Sequence, residues 1–300
     1  MHVVILSAGS GWYTDDLCRA LGERHHTAAV VPYEGLIARA GAPASLTSNG
    51  APLLAADAVL ARIIPDGSLE QIVFRVDALH WIEERGVPVI NSPRAIERSV
   101  DKFYTTALLQ EAGLPTPETV VCERAADALA AMRAMNDVVV KPLFGSLGHG
   151  MVRVSDPDIG LRVAKTLEQL RAVFYVQRAV DTGGRDIRAF VVGGRVIGAI
   201  ERVAPAGEWR SNVSRGGRAR PLVMPAEWER LAVRAAAAVG ADYAGVDLLP
   251  SRAGEVFVGE VNAIPGWRGL AGATGIDVAA VIVEHLVERV QAAPAAAGRP

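Results

Sequence analysis

The chain has 300 residues, 50% of them hydrophobic and 21% charged, a composition typical of a folded protein with two or three packed domains. Its net charge of −2 and its aromatic content of 5% argue against binding to nucleic acid or to a membrane surface. Only Cys18 and Cys122 occur, with no CxxC pair, which excludes a cysteine-built metal cluster and favours a reducing, cytoplasmic location. We expect no targeting segment and no membrane-spanning run of roughly 18 apolar residues.

The first 97 residues alternate between short apolar runs and amphipathic stretches. Strands are predicted at 3–6, 27–31, 58–63 and 87–91, and helices at 15–24 and 68–85. This alternation is typical of a parallel sheet, so residues 1–97 are expected to form a Rossmann-like α/β domain. The segment SAGSGW contains Gly9 and Gly11 but lacks the third glycine of a GxGxxG fingerprint, which favours a strand-to-helix turn over a nucleotide site.

The rest of the chain is expected to form two α+β units. A helix is predicted at 96–112, and the prolines of GLPTPET then favour an extended connection. In the second unit, residues 98–177, we predict strands at 118–122, 138–143, 151–154 and 173–177 and helices at 125–135 and 158–170. In the third unit, residues 178–290, we predict strands at 186–192, 195–202, 244–249 and 255–262 and helices at 226–239 and 278–290. Residues 291–300 lack an apolar period and are expected to be a frayed tail.

A lysine closes an apolar strand just before a glycine-rich loop, in the segment KPLFGSLGHG. Lys141 is one of only three lysines among 31 basic residues, and an ammonium at the end of a buried strand is costly unless it meets an anion. In a Walker-type loop the lysine follows the glycines, whereas here it precedes them. We expect a flap that closes over phosphates, with a plain hairpin turn as the alternative; its residues are Gly145, Ser146, Gly148 and Gly150.

Three oxygen-bearing side chains lie on two neighbouring predicted strands near the end of the chain. Glu260 and Asn262 are two residues apart, so both leave the same face of a strand, and Asp247 lies inside another apolar strand. Carboxylate and amide oxygens suit Mg²⁺ or Mn²⁺. The alternative is an ordinary polar face of a half-buried sheet.

Arginines are concentrated between residues 178 and 220. This stretch has nine arginines and four acidic residues, a net charge of +5. It includes the polar loop GEWRSNVSRGG, in which Arg210 and Arg215 could bind a phosphate or a carboxylate in bidentate fashion. The alternative is a loop whose charges are simply solvated.

These motifs, in this order, resemble the ATP-grasp superfamily, and most of all the RimK-type α-L-glutamate ligases, including the branch that acts on one-carbon cofactors such as tetrahydromethanopterin. The resemblance extends from NSPRAIERSVDKFYTTALLQEAGLPTPET through KPLFGSLGHGMVRV, GRDIRAFVVGGRVIGAIER and WRSNVSRGG to GVDLLPSRAGEVFVGEVNAIPG. It implies an ATP-grasp fold that follows an N-terminal pre-ATP-grasp domain.

The resemblance also assigns roles to residues. ATP would be bound by Lys102, Lys141, Gly145, Ser146, Gly148, Gly150, Gln177, Arg178, Asp186, Arg210, Ser211 and Asn212. The catalytic residues would be Arg202, Arg210 and Asn212. Two Mg²⁺ or Mn²⁺ ions would be bound by Asp247, Glu260 and Asn262. The substrate would be bound by Arg188, Arg215 and Gly216. The segment Gln177-Arg178 would be the adenine hinge and Asp186 would hold the ribose. The family commonly has an acidic residue where this chain has Arg178. This departure argues against a contact between the side chain of Arg178 and adenine.

The implied reaction is phosphorylation of a carboxylate by ATP, followed by displacement of phosphate by an amine. The implied substrates are L-glutamate and a carboxylate acceptor, and the weak basic character outside residues 178–220 favours a small molecule, such as a pterin or furan cofactor. Alternatives are a protein C-terminus, an amino-acid carrier protein or a dipeptide substrate, and a non-catalytic ATP-binding sensor or scaffold. A homo-oligomer, either a dimer or a tetramer, is compatible with this prediction.

Overall fold

The computed structural model describes residues 1–145, 150–205, 207–208 and 217–292. The first unit begins with a strand that is buried from Val3 to Ser7, and it contains the strands and helices that the sequence predicts together with three further short strands. They are β1 (His2–Ser7), α1 (Trp12–Gly22), β2 (Thr27–Pro32), β3 (Leu36–Arg39), β4 (Ser45–Ser48), β5 (Ala51–Pro52), β6 (Ala58–Ala61), α2 (Leu69–Glu84) and β7 (Val89–Ile90).

The parallel sheet predicted for this unit is confirmed. Its order is β2-β1-β6-β7, and every pair in it runs parallel. A second, antiparallel sheet of β3, β4 and β5 was not predicted, because its strands are two to four residues long and lack a clear apolar alternation. Helix α2 starts at a capping box, in which the Gln71 backbone N–H donates to Ser68 Oγ and the Ser68 N–H donates to Gln71 Oε1.

The second unit is an antiparallel sheet with two helices packed against it. Its elements are α3 (Pro93–Val100), α4 (Lys102–Glu111), β8 (Thr119–Cys122), α5 (Ala125–Met135), β9 (Val138–Lys141), β10 (Val152–Val154), α6 (Pro157–Gln169) and β11 (Phe174–Arg178). The sheet order is β10-β9-β11-β8.

The single helix predicted at 96–112 is wrong, because the chain breaks at Asp101. The backbone of Asp101 is extended, and its Oδ1 accepts a hydrogen bond of 3.0 Å from the Tyr104 N–H, which caps a new helix. Lys102 is therefore the first residue of α4. A cation in the first turn of a helix is unfavourable, since that end already carries partial positive charge and attracts anions.

The third unit is built on a five-stranded antiparallel sheet. Its elements are β12 (Arg185–Val192), β13 (Arg195–Val203), β14 (Arg218–Pro221), α7 (Ala226–Val239), β15 (Tyr243–Pro250), β16 (Val256–Asn262), α8 (Arg268–Thr274) and α9 (Val278–Ala292). The sheet order is β14-β13-β12-β15-β16. The short elements β14 and α8 were not predicted.

The first and third units share one hydrophobic cluster, and α3 and α4 pack into the cores of these two units, whereas the sheet of the second unit forms a separate core with α5 and α6. Val3 and Leu17 of the first unit lie in the same buried cluster as Phe190, Tyr243 and Trp267 of the third. The core of the second unit contains only residues between Val120 and Val176. Among the residues described, no single helix is long and apolar enough to cross a membrane; only the pair α8 and α9, bent by 115°, reaches that length and composition together.

Candidate active site

A cleft lies between the sheets of the second and third units, at the ends of β9 and β11 on one side and across β12, β13, β15 and β16 on the other. Seven of the residues singled out from the sequence line it. They are Lys141, Gln177, Arg178, Asp186, Arg202, Asp247 and Glu260. The fold thus brings together residues that are up to 119 positions apart in the chain.

Lys141 is the last residue of β9, and its ammonium is buried. Its Nζ donates to Gln177 Oε1 at 2.6 Å and lies 5.7 Å from the centre of the Tyr175 ring. Burial lowers the pKa of Lys141 to about 8, although the carboxylate of Glu260 partly opposes that shift. The amide of Gln177 is fixed in turn, because its Nε2 donates to Thr119 Oγ1 at 2.9 Å and to Tyr175 Oη at 3.0 Å.

Lys102 holds the start of the glycine-rich segment. Its Nζ donates to the carbonyl of Gly145 at 2.8 Å and to that of Leu143 at 3.4 Å. Burial lowers the pKa of Lys102 as well, and Glu260 opposes this shift too. Two desolvated ammonium groups near one carboxylate form a site that an anionic ligand would stabilise.

On the opposite side of the cleft, two arginines are paired with two aspartates. Arg202 donates to Asp186 through Nε at 2.6 Å and through Nη2 at 2.7 Å, and Nη2 also lies 2.9 Å from Asp247 Oδ2. Arg188 donates through Nε to Asp247 Oδ1 and through Nη2 to Asp247 Oδ2 at 2.8 Å. Burial alone would raise the pKa of Asp247, but the two guanidinium groups outweigh it and hold that pKa at about 2.

Sheet register explains this cluster. Asp186 faces Arg202 across β12 and β13, and Arg188 faces Asp247 across β12 and β15. Because directly opposed residues place their side chains on one face about 5 Å apart, each carboxylate meets a guanidinium without further adjustment. The fold therefore places Asp186 and Arg188, predicted to contact ribose and substrate, in ion pairs at the cleft.

The candidate metal ligands lie on one face of two adjoining strands. Asp247 is the register partner of Glu260, and Asn262 follows two residues later on β16. Asn262 Oδ1 accepts a 2.8 Å hydrogen bond from the Ile264 N–H. No group of three His, Cys, Asp or Glu side chains in the described ranges is arranged to hold a metal. The donor set consists of two carboxylates and one amide, oxygen donors of the kind that Mg²⁺ and Mn²⁺ take, and water or phosphate oxygens would complete it.

The side chain of Arg178, at the predicted adenine hinge, is bound to other parts of the protein. Arg178 donates through Nε at 3.0 Å, and through Nη2, to Glu118 Oε2, and its Nη1 donates to the Met135 carbonyl at 3.2 Å. The Arg178 backbone N–H donates to the Glu118 carbonyl at 2.8 Å. This side chain is thus held at the rim of the cleft by a partly exposed ion pair.

Several predicted residues lie outside the described parts of the chain. These are Ser146, Gly148, Arg210, Ser211, Asn212, Arg215 and Gly216. Gly145 and Gly150, which border the first gap, have φ angles of 130° and 71°. Side chains rarely adopt such backbone angles, so glycine is required at both positions.

Sequence reasoning missed Asn91, a fully buried residue that joins the first unit to the third. Its Nδ2 donates to the carbonyls of Tyr243 at 2.8 Å and Ala263 at 2.5 Å. Its Oδ1 accepts from the N–H groups of Asp242 at 2.7 Å and Tyr243 at 3.1 Å. A polar residue at the end of the buried strand VPVIN was the signal that could have drawn attention to it.

The chain is similar to proteins of one family. Residues 99–286 match the model of the RimK-like ATP-grasp domain. A tetrahydromethanopterin:alpha-L-glutamate ligase from Methanosarcina acetivorans is 39% identical over 272 residues, which cover 81% of this chain and 84% of that protein. A probable alpha-L-glutamate ligase from Trichodesmium erythraeum is 33% identical over 299 residues, 98% of each chain.

Solved structures with the same fold extend over nearly the whole chain. The ATP-grasp ligase PsnB in complex with its minimal precursor aligns with a TM-score of 0.77 and 24% identity, covering 96% of this chain and 98% of that one. The RimK domain protein of Sphaerobacter thermophilus aligns with a TM-score of 0.72 and 22% identity, covering 96% and 100%. The predicted ATP-grasp fold is confirmed.

Proposed function

This chain belongs to the RimK-like ATP-grasp family, and from that premise we propose that it joins L-glutamate to a carboxylate on a small-molecule acceptor. It is an ATP-dependent ligase that forms a carbon–nitrogen bond. The observation that carries the proposal is the pair of partly buried ammonium groups, Lys102 and Lys141, near the oxygen donors Asp247 and Glu260 in one cleft. The phosphates of a nucleotide would accept hydrogen bonds from both lysines. A divalent ion would bind to the oxygens of both carboxylates.

The lysine side of the cleft orients the nucleotide. Lys141, positioned by Gln177, and Lys102, positioned at the base of the flap, hold the phosphates by charge-assisted hydrogen bonds. The base is proposed to lie toward the hinge at Gln177 and Arg178. Lys102 donates a hydrogen bond to the carbonyl of Gly145. A phosphate that draws the Lys102 ammonium toward itself would therefore compete with this hydrogen bond at the start of the flap.

Asp247, Glu260 and Asn262 would hold the metal ions. Such ions, when bound, neutralise phosphate oxygens and so favour transfer of the terminal phosphoryl group. Asp247 already accepts hydrogen bonds from Arg188 and Arg202. To bind a metal ion, its carboxylate must either keep these arginines as partners or release one of them. These arginines then face the phosphoryl group or the substrate carboxylate; the roles predicted for Arg210 and Asn212 stay predictions, because both lie outside the described residues.

The reaction proceeds in two balanced steps. A carboxylate oxygen of the acceptor attacks the γ-phosphorus of ATP, the bond to the β–γ bridging oxygen breaks, and ADP leaves. The glutamate amine then attacks the acyl carbon of the resulting acyl phosphate, phosphate leaves with the electron pair of the C–O bond, and the amine loses a proton. Exclusion of water by the closed flap protects the acyl phosphate from hydrolysis.

Glutamate is favoured by charge and by similarity. The stretch 178–220 carries a net charge of +5, and although Glu118 and Asp247 from outside it pair with three of its arginines, we propose that its remaining arginines meet a second anion. The relatives that are 39% and 33% identical are named alpha-L-glutamate ligases, and the first acts on tetrahydromethanopterin. The acceptor of this chain is accordingly proposed to be a pterin-like or related carboxylate. A cytoplasmic location stays a prediction.

The test is formation of ADP and of a glutamylated product from ATP, Mg²⁺, L-glutamate and tetrahydromethanopterin. We expect ADP release to depend on both substrates, and mass spectrometry to find the acceptor heavier by one glutamyl residue. Glutamine, which lacks the side-chain charge, should support far less turnover. Arg215→Ala should raise the KM for glutamate more than the KM for ATP. ADP release that is absent under every substrate combination would favour the non-catalytic alternative.

A further inference from the structure

A second cavity lies outside the nucleotide cleft, at the carboxyl ends of β1 and β6. It is lined by the loop 7–11, by Trp12 and Tyr13 at the start of α1, and by Arg62 and Ile63 after β6. The backbone on one side is open, because a Cβ built on Gly9 or Gly11 would meet no atom within 4 Å. None of these residues takes part in the proposed handling of ATP.

The rim of this cavity is apolar. Trp12 is 40% exposed and Ile63 is 54% exposed, although both are large hydrophobic side chains. Trp12 is nevertheless held in place, since its ring makes an edge contact with Tyr13 at 5.1 Å and the Arg268 guanidinium lies 5.8 Å from its centre. A fixed indole at the mouth of a cavity provides a flat surface on which another ring can stack.

A buried arginine, Arg62, also lines the cavity. Arg62 is only 2% exposed, and it donates to Tyr243 Oη at 3.0 Å and to the Pro265 carbonyl at 3.1 Å. Its carbon Cζ lies 4.7 Å from the centre of the Trp267 ring. Those two hydrogen bonds use two of the five N–H donors that a guanidinium carries. An aromatic wall beside a hydrogen-bond donor favours a flat ring with nitrogen or oxygen acceptors on its edge over an aliphatic chain.

The cavity adjoins the segment that leads out of the candidate metal site. Trp267 follows Asn262 by five residues, a distance of at most about 18 Å even if fully extended. That segment packs directly on α1, because a Cβ on Gly266 would come within 2.5 Å of Tyr13 Oη. A ligand with a ring in this cavity can therefore extend a carboxylate-bearing tail toward the cleft.

We infer that this cavity binds the flat aromatic heterocycle of the acceptor, and that Trp12 and Ile63 determine specificity for it. The inference rests on the proposed function, because the cavity would bind the ring end of the same acceptor whose carboxylate reacts in the cleft. It concerns a different set of residues, so it can be tested by binding alone.

The experiment measures binding of 6-methylpterin, a ring without the carboxylate tail, to the full chain by isothermal titration calorimetry in the absence of ATP. We expect saturable binding to the wild type, and Trp12→Ala should weaken it at least about tenfold, since loss of a stacking partner has effects of that order. Ile63→Ala should weaken it less, and it provides the measurement if Trp12→Ala does not fold. Phe74→Ala is the matched control, because Phe74 on α2 is 43% exposed and does not line the cavity; we expect a change below about twofold.

Turnover provides a second measurement that separates this inference from the proposed function. Trp12→Ala should raise the KM for the acceptor and leave the KM for ATP unchanged. Turnover with equal acceptor KM in wild type and Trp12→Ala would overturn the inference and leave the ligase assignment standing. Binding of 6-methylpterin that depends on Trp12, without glutamate ligation, would support the ring site and refute the proposed function. Absence of 6-methylpterin binding to the wild type would overturn the inference directly.

Discussion

The two sides of the nucleotide cleft treat positive charge in opposite ways. On the side of the second unit, Lys102 and Lys141 are desolvated and donate to neutral oxygens of the backbone and of Gln177. On the side of the third unit, Arg188 and Arg202 donate to the carboxylates of Asp186 and Asp247. Burial thus lowers the pKa of the lysines, whereas the carboxylates raise the pKa of Arg202 despite its burial.

This difference indicates which charges await a ligand. An ion pair whose members satisfy one another is complete in the free protein, and its role is to position groups. A buried ammonium bonded only to neutral oxygens is incomplete, and binding of an anion relieves the cost of its desolvation. The lysine side is therefore expected to respond to nucleotide, and the arginine side to keep Asp247 in place until metal and substrate arrive.

The largest expected effect comes from the carboxylate that faces both sides. Glu260→Ala should abolish turnover and weaken Mg²⁺-dependent nucleotide binding, because it removes a proposed metal ligand and the acidic neighbour of both lysines. ADP formation and nucleotide binding with and without Mg²⁺ measure this. Glu255→Ala is the control, since Glu255 is an exposed residue next to β16, and its loss should cost less than about 0.5 kcal/mol of stability and no activity. A normal Mg²⁺ response in Glu260→Ala would refute the metal site.

A smaller but still large effect is expected at the lysine side. Lys141→Ala should leave the fold intact and lower nucleotide affinity and turnover by about two orders of magnitude or more, because a phosphate partner is lost from a closed site. Circular dichroism and steady-state kinetics provide the measurement. The matched control is Lys165→Ala, since Lys165 is 62% exposed and pairs with Glu168 on α6. Wild-type kinetics in Lys141→Ala would contradict the assignment of the lysine side.

Nucleotide binding on the lysine side is expected to depend on pH. Phosphate binds the charged form of Lys141, whose pKa in the free protein is about 8, so nucleotide affinity should be constant below that pH and fall above it. The decrease should reach about tenfold per pH unit beyond the pKa, up to the point where bound nucleotide no longer protects the proton. Nucleotide titrations at several pH values between about 7 and 9.5 test this, with Lys141→Met as a weak-binding control in which only the dependence due to Lys102, whose pKa burial also lowers, should remain. An affinity that stays constant up to pH 9.5 in the wild type would show that Lys141 does not hold phosphate.

The smallest effect is expected at the hinge. Arg178→Ala removes a partly exposed ion pair with Glu118, which typically contributes about 1 kcal/mol or less. The KM for ATP should change by less than about threefold, because the Arg178 side chain is held by Glu118 and the Met135 carbonyl at the rim of the cleft. Kinetics with ATP and with GTP measure this. A large loss of ATP affinity would show that the guanidinium contacts the base after all.

Local signals in the sequence were sufficient for part of the site. A charge at the end of a buried strand pointed to Lys141, and the two-residue period of a strand put Glu260 and Asn262 on one face. The pairing of Arg188 and Arg202 with the aspartates could not be predicted, because it depends on which strands neighbour one another. Both residues were assigned to substrate or catalysis without their partners.

The break at Asp101 shows a similar limit. The residues on either side of it have helix-forming patterns, so periodicity alone favours one continuous helix. Asp101 was nevertheless an available signal, since aspartate is a preferred N-cap residue. The consequence is functional, because the break puts Lys102 at a helix start, beside the glycine-rich segment.

The hydrogen bonds of Asn91 have a mechanical consequence. Four bonds from one buried side chain fasten the end of β7 to the start of β15 and to the segment after Asn262, and each polar group left without a partner would cost about 1–3 kcal/mol. The first and third units are therefore expected to move as one rigid body, with the shared core between them. Opening and closing of the cleft is therefore expected to move the sheet of the second unit together with α5 and α6, which have a separate core, while α3 and α4 stay packed against the first and third units and the ring cavity keeps its shape.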